Sequence, residues 1–294
     1  MAIERHHYVP QGFLKGFRAL GKESDKFIWV YEKLPDRRPR CVSVKSIAWE
    51  SFYYEQETET GECDSDTLER AFAETIDNKV PQIIRSIDAK AGGGVELTED
   101  DQGALAFFLG ISLTRVPSFR KGTRDFYTKI AQMTLDQVAR NDPSIAEVIE
   151  EYGFKAEAKT WVSLKPMIQV AQAIAHSSLK KNWQFFVPPN GFALISSDNP
   201  VHFSVPREFG SIMAGPGHPL AELVINLRSN LALVCTSRRY GEKFPVIQMS
   251  KREAKKFNRG TARAAGRFIF ANQLSDGIEK LTKKYAGEKQ AIVI

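Results

Sequence analysis

The chain has 294 residues, of which 43% are hydrophobic and 26% are charged, with a formal net charge of +6; this is ordinary for a globular protein long enough to bury a core. No apolar run approaches the ~18 residues of a membrane span, and charged residues and histidine precede any apolar run at the N-terminus, so we expect a soluble, cytoplasmic protein with neither a membrane segment nor a signal peptide. The three cysteines form no CxxC pair, which argues against a zinc knuckle or a disulfide framework.

The first distinctive stretch runs from Arg5 to Phe17, with the sequence RHHYVPQGFLKGF. Pro10 stands at the first turn of a predicted short helix. Adjacent side chains of an extended backbone point to opposite faces, so only one of His6 and His7 can face a given site. We expect one histidine in a cleft, where its near-neutral pKa suits proton transfer, and the other holding the motif by hydrogen bonds. The alternative is a structural pair that caps or bridges backbone groups.

Strand patterns occur at both ends of the chain. β-branched and aromatic runs bounded by turn residues predict strands at 26–31, 41–44, 52–54, 184–187, 192–196, 201–205, 223–226, 231–235, 246–249 and 267–270. The first two should form a hairpin. The turn sequence PPNG at 188–191 is expected to join the strands on either side of it.

Helical periodicity dominates the middle third. Predicted helices begin at Asp66, Thr98, Ser118, Pro143 and Leu164, and two more begin at Ser250 and Ser275. The first should continue to about residue 87 with a bend at Pro81, which removes a backbone donor. The glycine triplet at 92–94 has no following Lys-Ser/Thr and is therefore predicted to be a link and not a phosphate-binding loop.

Strands at both ends of a helical middle indicate an α+β fold. We expect the helical segment to pack with a mixed, mainly antiparallel sheet formed by the C-terminal strands, which the N-terminal hairpin can join. The prediction is a single compact domain over residues 1–294. It comprises an N-terminal motif and hairpin (1–56), a helical region (64–182) and a C-terminal α+β region (183–294).

The C-terminal region is strongly basic. Residues 228–294 contain 15 Lys and Arg against 5 Asp and Glu, a balance of +10, so the first 227 residues carry −4. Lys251, Lys255, Arg259 and Arg263 recur every four residues and form a stripe on one helix. Such a stripe can bind the phosphates of a nucleic acid, or it can be a solvated helix face. Phe257 is the only aromatic residue of this helix, which favours phosphate contacts over base recognition.

The SSDNP motif at residues 196–200 directly follows a predicted apolar strand. Asn199 precedes a proline and is biased toward an extended conformation, and Asp198 can bond its own downstream backbone, which together explain the motif structurally. A carboxylate at the end of a strand is equally a candidate catalytic acid or a ligand of a divalent metal such as Mg²⁺ or Mn²⁺. Both interpretations stay open.

Two further charged residues are candidates. Arg115, in the sequence RVP at the end of a predicted helix, can bind phosphate or carboxylate at two points, or can offset the helix dipole. Glu69 and Glu74 are five residues apart on a helix and diverge by ~140°, so they do not share a face. Only Glu69 stays a candidate, as a helix-capping residue or a metal ligand.

Three motifs in this order, HHYVPQ at 6–11, RVP at 115–117 and SDNPV at 197–201, give the chain a family resemblance. The chain resembles domain of unknown function 4238 over essentially its whole length. That family has no established activity. The resemblance implies a compact module in which the charged motifs form the shared site.

Our leading hypothesis is a nuclease or other phosphodiester-cleaving enzyme that acts on RNA or DNA, with a role in bacterial defence. One histidine would be the general acid or base, Arg115 would hold the scissile phosphate, and Asp198 would orient the histidine or bind a metal. The candidate catalytic residues are His6, His7, Gln11, Arg115, Asp198 and Asn199. The candidate substrate-binding residues are Arg5, Lys251, Lys255, Arg259 and Arg263. The candidate metal ligands are Asp198 and Glu69. The alternative is a non-catalytic module that binds a nucleic acid, a nucleotide or a protein.

Overall fold

The computed structural model of the chain describes residues 4–22, 26–58, 60–206, 215–239 and 243–288. Helices occupy the middle of the chain and mainly antiparallel strands occupy both ends, which confirms the predicted α+β fold. No helix within these segments is both long and apolar enough to cross a bilayer.

The N-terminal region consists of short strands around one short helix. Its elements are β1 (Arg5–His7), α1 (Gln11–Leu14), β2 (Phe27–Glu32), β3 (Arg40–Ser43), β4 (Trp49–Ser51), β5 (Gln56–Glu57) and β6 (Cys63–Asp64). The predicted hairpin of β2 and β3 is confirmed, and β4 pairs antiparallel with β1. The prediction of a strand at 52–54 is wrong, because the chain turns there and Phe52 has a φ of 51°.

The predicted helix from residue 66 to 87 is divided in the structure. It consists of α2 (Thr67–Phe72), a π-helical turn (Ala73–Asp77) and α3 (Lys79–Ser86). Pro81 has no N–H to donate to the carbonyl of Asp77, four residues earlier, and this missing hydrogen bond accounts for the interruption. The backbone N–H of Asn78 instead donates to the carbonyl of Ala73 at 3.1 Å.

The middle helices agree with the predicted ones. They are α4 (Glu99–Thr114), α5 (Pro117–Asn141), α6 (Pro143–Tyr152) and α7 (Leu164–Leu179). Helices α4 and α7 pack closely because Gly110 lies at their crossing. A Cβ atom there would lie 2.1 Å from the carbonyl oxygen of Ala171.

The C-terminal strands divide between two sheets. The elements are β7 (Asn182–Val187), β8 (Ser196–Ser197), β9 (Val201–Ser204), β10 (Glu222–Arg228), β11 (Leu231–Thr236), β12 (Val246–Gln248), α8 (Lys251–Ala264), β13 (Phe268–Ala271) and α9 (Asp276–Lys284). One sheet has the order β12-β7-β11-β10-β9, and the other has the order β3-β2-β13-β8. The N-terminal hairpin thus joins a C-terminal strand, as expected, through antiparallel pairing of β2 with β13.

Strand β8 is much shorter than the strand predicted at 192–196. The N–H of Leu194 donates to the carbonyl of Ser229 at 2.8 Å, and the N–H of Ile195 donates to the side chain of Asn258 at 3.0 Å. These bonds take the place of the strand-to-strand hydrogen bonds that a longer β8 would make. The turn at 188–191 therefore does not connect two paired strands, and β7 pairs with β11 and β12 instead.

Alternate residues of β11 face different layers. Leu231 and Leu233 belong to the apolar core that also contains residues of α4 and α7, whereas Ala232 packs in a separate cluster with Ala254 of α8. The five-stranded sheet is thus covered by helices on both faces. The same large core includes Phe13 from α1, which ties the N-terminal motif to the helical middle.

Candidate functional site

A surface cleft of about 410 Å³ lies where α1 meets the α2–α3 segment, and we call it the His7 cleft. Its lining residues are His7, Gln11, Gly12, Lys15, Glu69, Ala73, Asp77, Asn78, Pro81, Gln82 and Arg85. A volume of this size is typical of small-ligand sites. Three of the sequence candidates, His7, Gln11 and Glu69, therefore come together in one cleft.

The two histidines point to opposite faces of β1. His6 is fully buried, its Nδ1 accepts a hydrogen bond from the backbone N–H of Tyr54 at 2.9 Å, and the two rings stack with centroids 5.5 Å apart. His7 lines the cleft, with its Nδ1 3.4 Å from the side-chain nitrogen of Gln11. His6 thus holds the motif in place and does not line the cleft, whereas His7 does.

One face of the α2–α3 segment lines the cleft at every fourth residue. These residues are Glu69, Ala73, Asp77, Pro81 and Arg85. Four residues of an α-helix advance about 400°, so such a line drifts by ~40° per step. The wider π-helical turn rotates less per residue and reduces this drift, which keeps the acidic and basic ends of the line on the same side. Such turns are frequent at functional sites.

Arg115 lies beneath the cleft and is completely buried. Its Nη1 is 3.1 Å from Oδ1 of Asp77, and the hydroxyl of Tyr53 donates to its backbone carbonyl at 2.9 Å. The ion pair compensates a charge that would be very costly to bury alone. Arg115 therefore supports the cleft from below, although it does not form part of its lining.

Burial shifts the two titratable groups His7 and Glu69 in opposite directions. It raises the pKa of Glu69 to about 7, reinforced by the negative charge of Asp77 and opposed by Arg115. It lowers the pKa of His7 to about 4, partly offset by the backbone of Lys45. Near pH 7 the imidazole is therefore neutral, and Glu69 populates both protonation states, as a general acid or base requires.

Several buried polar atoms around the cleft make no hydrogen bond with the described residues. They are Nε2 of His7, Oε2 of Glu69, and Nε and Nη2 of Arg115. Buried polar groups are nearly always hydrogen-bonded, and each unpaired one costs about 1–3 kcal/mol. The atoms of His7 and Glu69 belong to residues that line the cleft, whereas the two nitrogens of Arg115 lie beneath it.

The structure places Asp198 and Asn199 outside the cleft lining. Both carboxylate oxygens of Asp198 accept backbone N–H groups, from Gly266 at 2.8 Å, Arg267 at 2.6 Å and Phe268 at 3.0 Å. The side-chain nitrogen of Asn199 donates to the carbonyl of Ala264 at 3.2 Å. These bonds join the SSDNP motif to the turn between α8 and β13, and the catalytic role expected for the two residues stays a prediction.

The described residues contain no group of three or more His, Cys, Asp or Glu side chains placed to hold a metal ion. The two candidate ligands do not form one site, because Glu69 lines the His7 cleft while the oxygens of Asp198 are engaged by backbone N–H groups. The residues present thus do not fit the divalent metal that we considered from the sequence.

The basic stripe of α8 is exposed along its length and lies outside the His7 cleft lining. Arg263 pairs with Glu288 at 2.8 Å, while Lys255 and Arg259 line a separate groove between α8 and α9. Arg5 is exposed and stacks over Trp49 with its guanidinium carbon 4.6 Å from the ring centroid. None of the sequence-predicted substrate-binding residues lines the cleft.

Sequence reasoning missed Asp77, Lys15 and Arg85. Spacing contained the signal for two of them, since Asp77 and Arg85 lie eight and sixteen residues after Glu69, on the same four-residue repeat. The expectation of one continuous helix with a simple bend at Pro81 does not place these residues on the same face. Lys15 belongs to the opening motif but was assigned no role there.

A model of the family described as "Protein of unknown function (DUF4238)" matches residues 5–275. The match spans all the motifs on which the resemblance was based. Searches against curated proteins and against solved structures found no match to this chain.

Proposed function

The chain belongs to the DUF4238 family, and we propose that its member described here cleaves RNA at the His7 cleft by proton transfer to Glu69. The observation that carries the proposal is Glu69, whose pKa of about 7 and unpartnered Oε2 suit a general base at neutral pH. DNA as substrate is one outcome of the test below.

The charges of the cleft favour a phosphodiester over a neutral substrate. Lys15 and Arg85 line it together with Glu69. The other carboxylate of the lining, Asp77, is paired with the buried guanidinium of Arg115. Cations placed beside a phosphoryl group stabilise the charge that develops during its transfer. The amide nitrogen of Gln11 lies 3.4 Å from Nδ1 of the neutral His7, and Gln11 also lines the cleft and can donate a hydrogen bond.

The proposed reaction uses the 2′ hydroxyl of RNA as nucleophile. Ionised Glu69 takes the proton of that hydroxyl, O2′ bonds to phosphorus, and the P–O5′ bond breaks. O5′ takes a proton from water, and the hydroxide that remains takes the proton from Glu69, which restores the carboxylate. The products are a 2′,3′-cyclic phosphate and a free 5′ hydroxyl. This nucleophile is attached next to its target, so the protein need only orient it and accept one proton.

A DNA oligonucleotide with a single ribonucleotide tests the proposal directly. We expect one cut, on the 3′ side of the ribonucleotide, in the presence of a chelator, with a cyclic phosphate end. The matched all-DNA strand should stay intact. Equal cleavage of both strands would show that the 2′ hydroxyl is not the nucleophile.

A non-catalytic nucleic-acid-binding module is the second candidate, favoured by the exposed basic stripe of α8. Binding of both strands without any cleavage, and its loss on replacing Lys251 and Arg259, would support that alternative. A role in bacterial defence stays a prediction.

A further inference from the structure

We infer that a second cavity beside the His7 cleft is a binding subsite for the neighbouring phosphate of the same strand, so that the substrate is a polynucleotide and not a single nucleotide. The inference rests on the proposed function. We call this cavity the Arg228 pocket, and its volume is about 410 Å³. It is lined by Gly12, Phe13, Lys15, Gly16, Arg18, Leu20, Pro81, Ile84, Arg85, Leu227, Arg228, Ser229 and Asn230.

The two cavities share one wall. Gly12, Lys15, Pro81 and Arg85 line both of them. Gly12 allows α1 to lie against α3, because a Cβ atom there would be 2.7 Å from the Pro81 ring. A strand that enters the His7 cleft can therefore continue into the Arg228 pocket without leaving the surface.

Among the described residues, those that line the Arg228 pocket include four cations, Lys15, Arg18, Arg85 and Arg228, and no Asp or Glu. Nη2 of Arg228 donates to the carbonyl of Ile87 at 3.0 Å, while its Nε is buried without a partner among the described residues. Burial lowers the pKa of Arg228, and the negative charge of Asp88 only partly opposes this shift. An anion is the ligand that this lining can pair.

The pocket is held in shape by backbone contacts. The N–H of Ser229 donates to the carbonyl of Gly16 at 3.0 Å, which joins the β10–β11 turn to the end of the opening motif. A Cβ atom on Gly16 would lie 3.0 Å from the carbonyl oxygen of Leu227, so only a small residue permits this approach. The cations are thus mounted on a fixed frame, which lowers the entropic cost of binding.

The subsite can be tested by binding alone. The probe is a fluorescently labelled 2′-O-methyl oligonucleotide, which cannot undergo attack by its 2′ oxygen and so stays intact on the protein. Arg18→Gln removes one exposed cation of the pocket, and Arg140→Gln, exposed at the end of α5, removes the same charge elsewhere. Fluorescence anisotropy is measured over a range of salt concentrations.

Loss of one phosphate contact should weaken binding of the oligonucleotide about 5- to 10-fold at 50 mM salt, and should reduce the slope of log K against log salt by about 0.7. Arg140→Gln should change neither quantity. Binding of a 3′-nucleoside monophosphate, which needs only the His7 cleft, should be equal in wild type and Arg18→Gln.

Equal oligonucleotide binding by wild type and Arg18→Gln, or equal losses in Arg18→Gln and Arg140→Gln, would overturn the subsite. If Arg18→Gln weakens binding as expected while the ribonucleotide-containing strand is not cleaved, the subsite stands and the proposed function fails. If the strand is cleaved and Arg18→Gln binds normally, only the subsite fails.

Discussion

Replacing Glu69 with glutamine should increase stability at alkaline pH and remove most of the activity. Burial raises the pKa of this carboxyl from 4.5 to about 7. The folded protein then holds the proton more tightly than the unfolded chain. The free energy of unfolding therefore falls as pH rises from 4.5 to 7, and the whole of this decrease is present above pH 7. Glutamine has nearly the same shape and carries no charge, so the variant does not bear that cost.

The magnitude follows from the same shift. A change from 4.5 to about 7 corresponds to roughly 3 kcal/mol. Because the Glu69 side chain is partly exposed, solvent screening reduces this to about 1–2 kcal/mol. The variant should thus match wild type near pH 4 and exceed it by about 1–2 kcal/mol at pH 8. Loss of a general base should slow RNA cleavage about 10²- to 10⁴-fold.

Urea unfolding at pH 4, 6 and 8, together with initial rates of RNA cleavage, measures both effects. Glu74→Gln is the matched control, because Glu74 is exposed in the same helical segment. It should leave activity unchanged and stability within about 0.5 kcal/mol of wild type. A Glu69→Gln protein that is less stable than wild type at pH 8 would show that the carboxylate is a satisfied structural group, and our reasoning about the cleft would be wrong.

Two further substitutions distinguish residues that stabilise the fold around the site from residues that affect the reaction. Asp77→Asn leaves the buried Arg115 without its counter-charge and should cost about 3–5 kcal/mol in urea unfolding. Because the charge of Asp77 raises the pKa of Glu69, the acidic limb of the pH–rate profile should also move to lower pH in Asp77→Asn. An acidic limb at the same pH as in wild type would show that Asp77 does not influence Glu69. Asp198→Asn should cost about 1–3 kcal/mol by disturbing three backbone hydrogen bonds, yet leave the cleavage rate per folded molecule unchanged; a selective loss of rate would restore its predicted catalytic role.

Features that depend only on residues close together in the sequence could be predicted. The helix beginning after Ser250 is one example, since Ser250 and Glu253 form a reciprocal cap within three residues of each other. The opposite orientations of His6 and His7 are another, because they follow from the two-residue period of a strand. The strand predicted at 192–196 is the counterexample, since its backbone bonds with Ser229 and a helix side chain.

Sequence alone determined the α+β class and most of the helices and strands, and it indicated the opening motif as a candidate site. It left the roles of Asp198 and Arg115 open, because each residue has two chemically reasonable functions. Only the tertiary structure decided which partners they have, by bringing three N–H groups from the turn after α8 to Asp198 and the carboxylate of Asp77 to Arg115. The pKa of Glu69 has the same origin, since burial and nearby charges exist only after distant segments pack together.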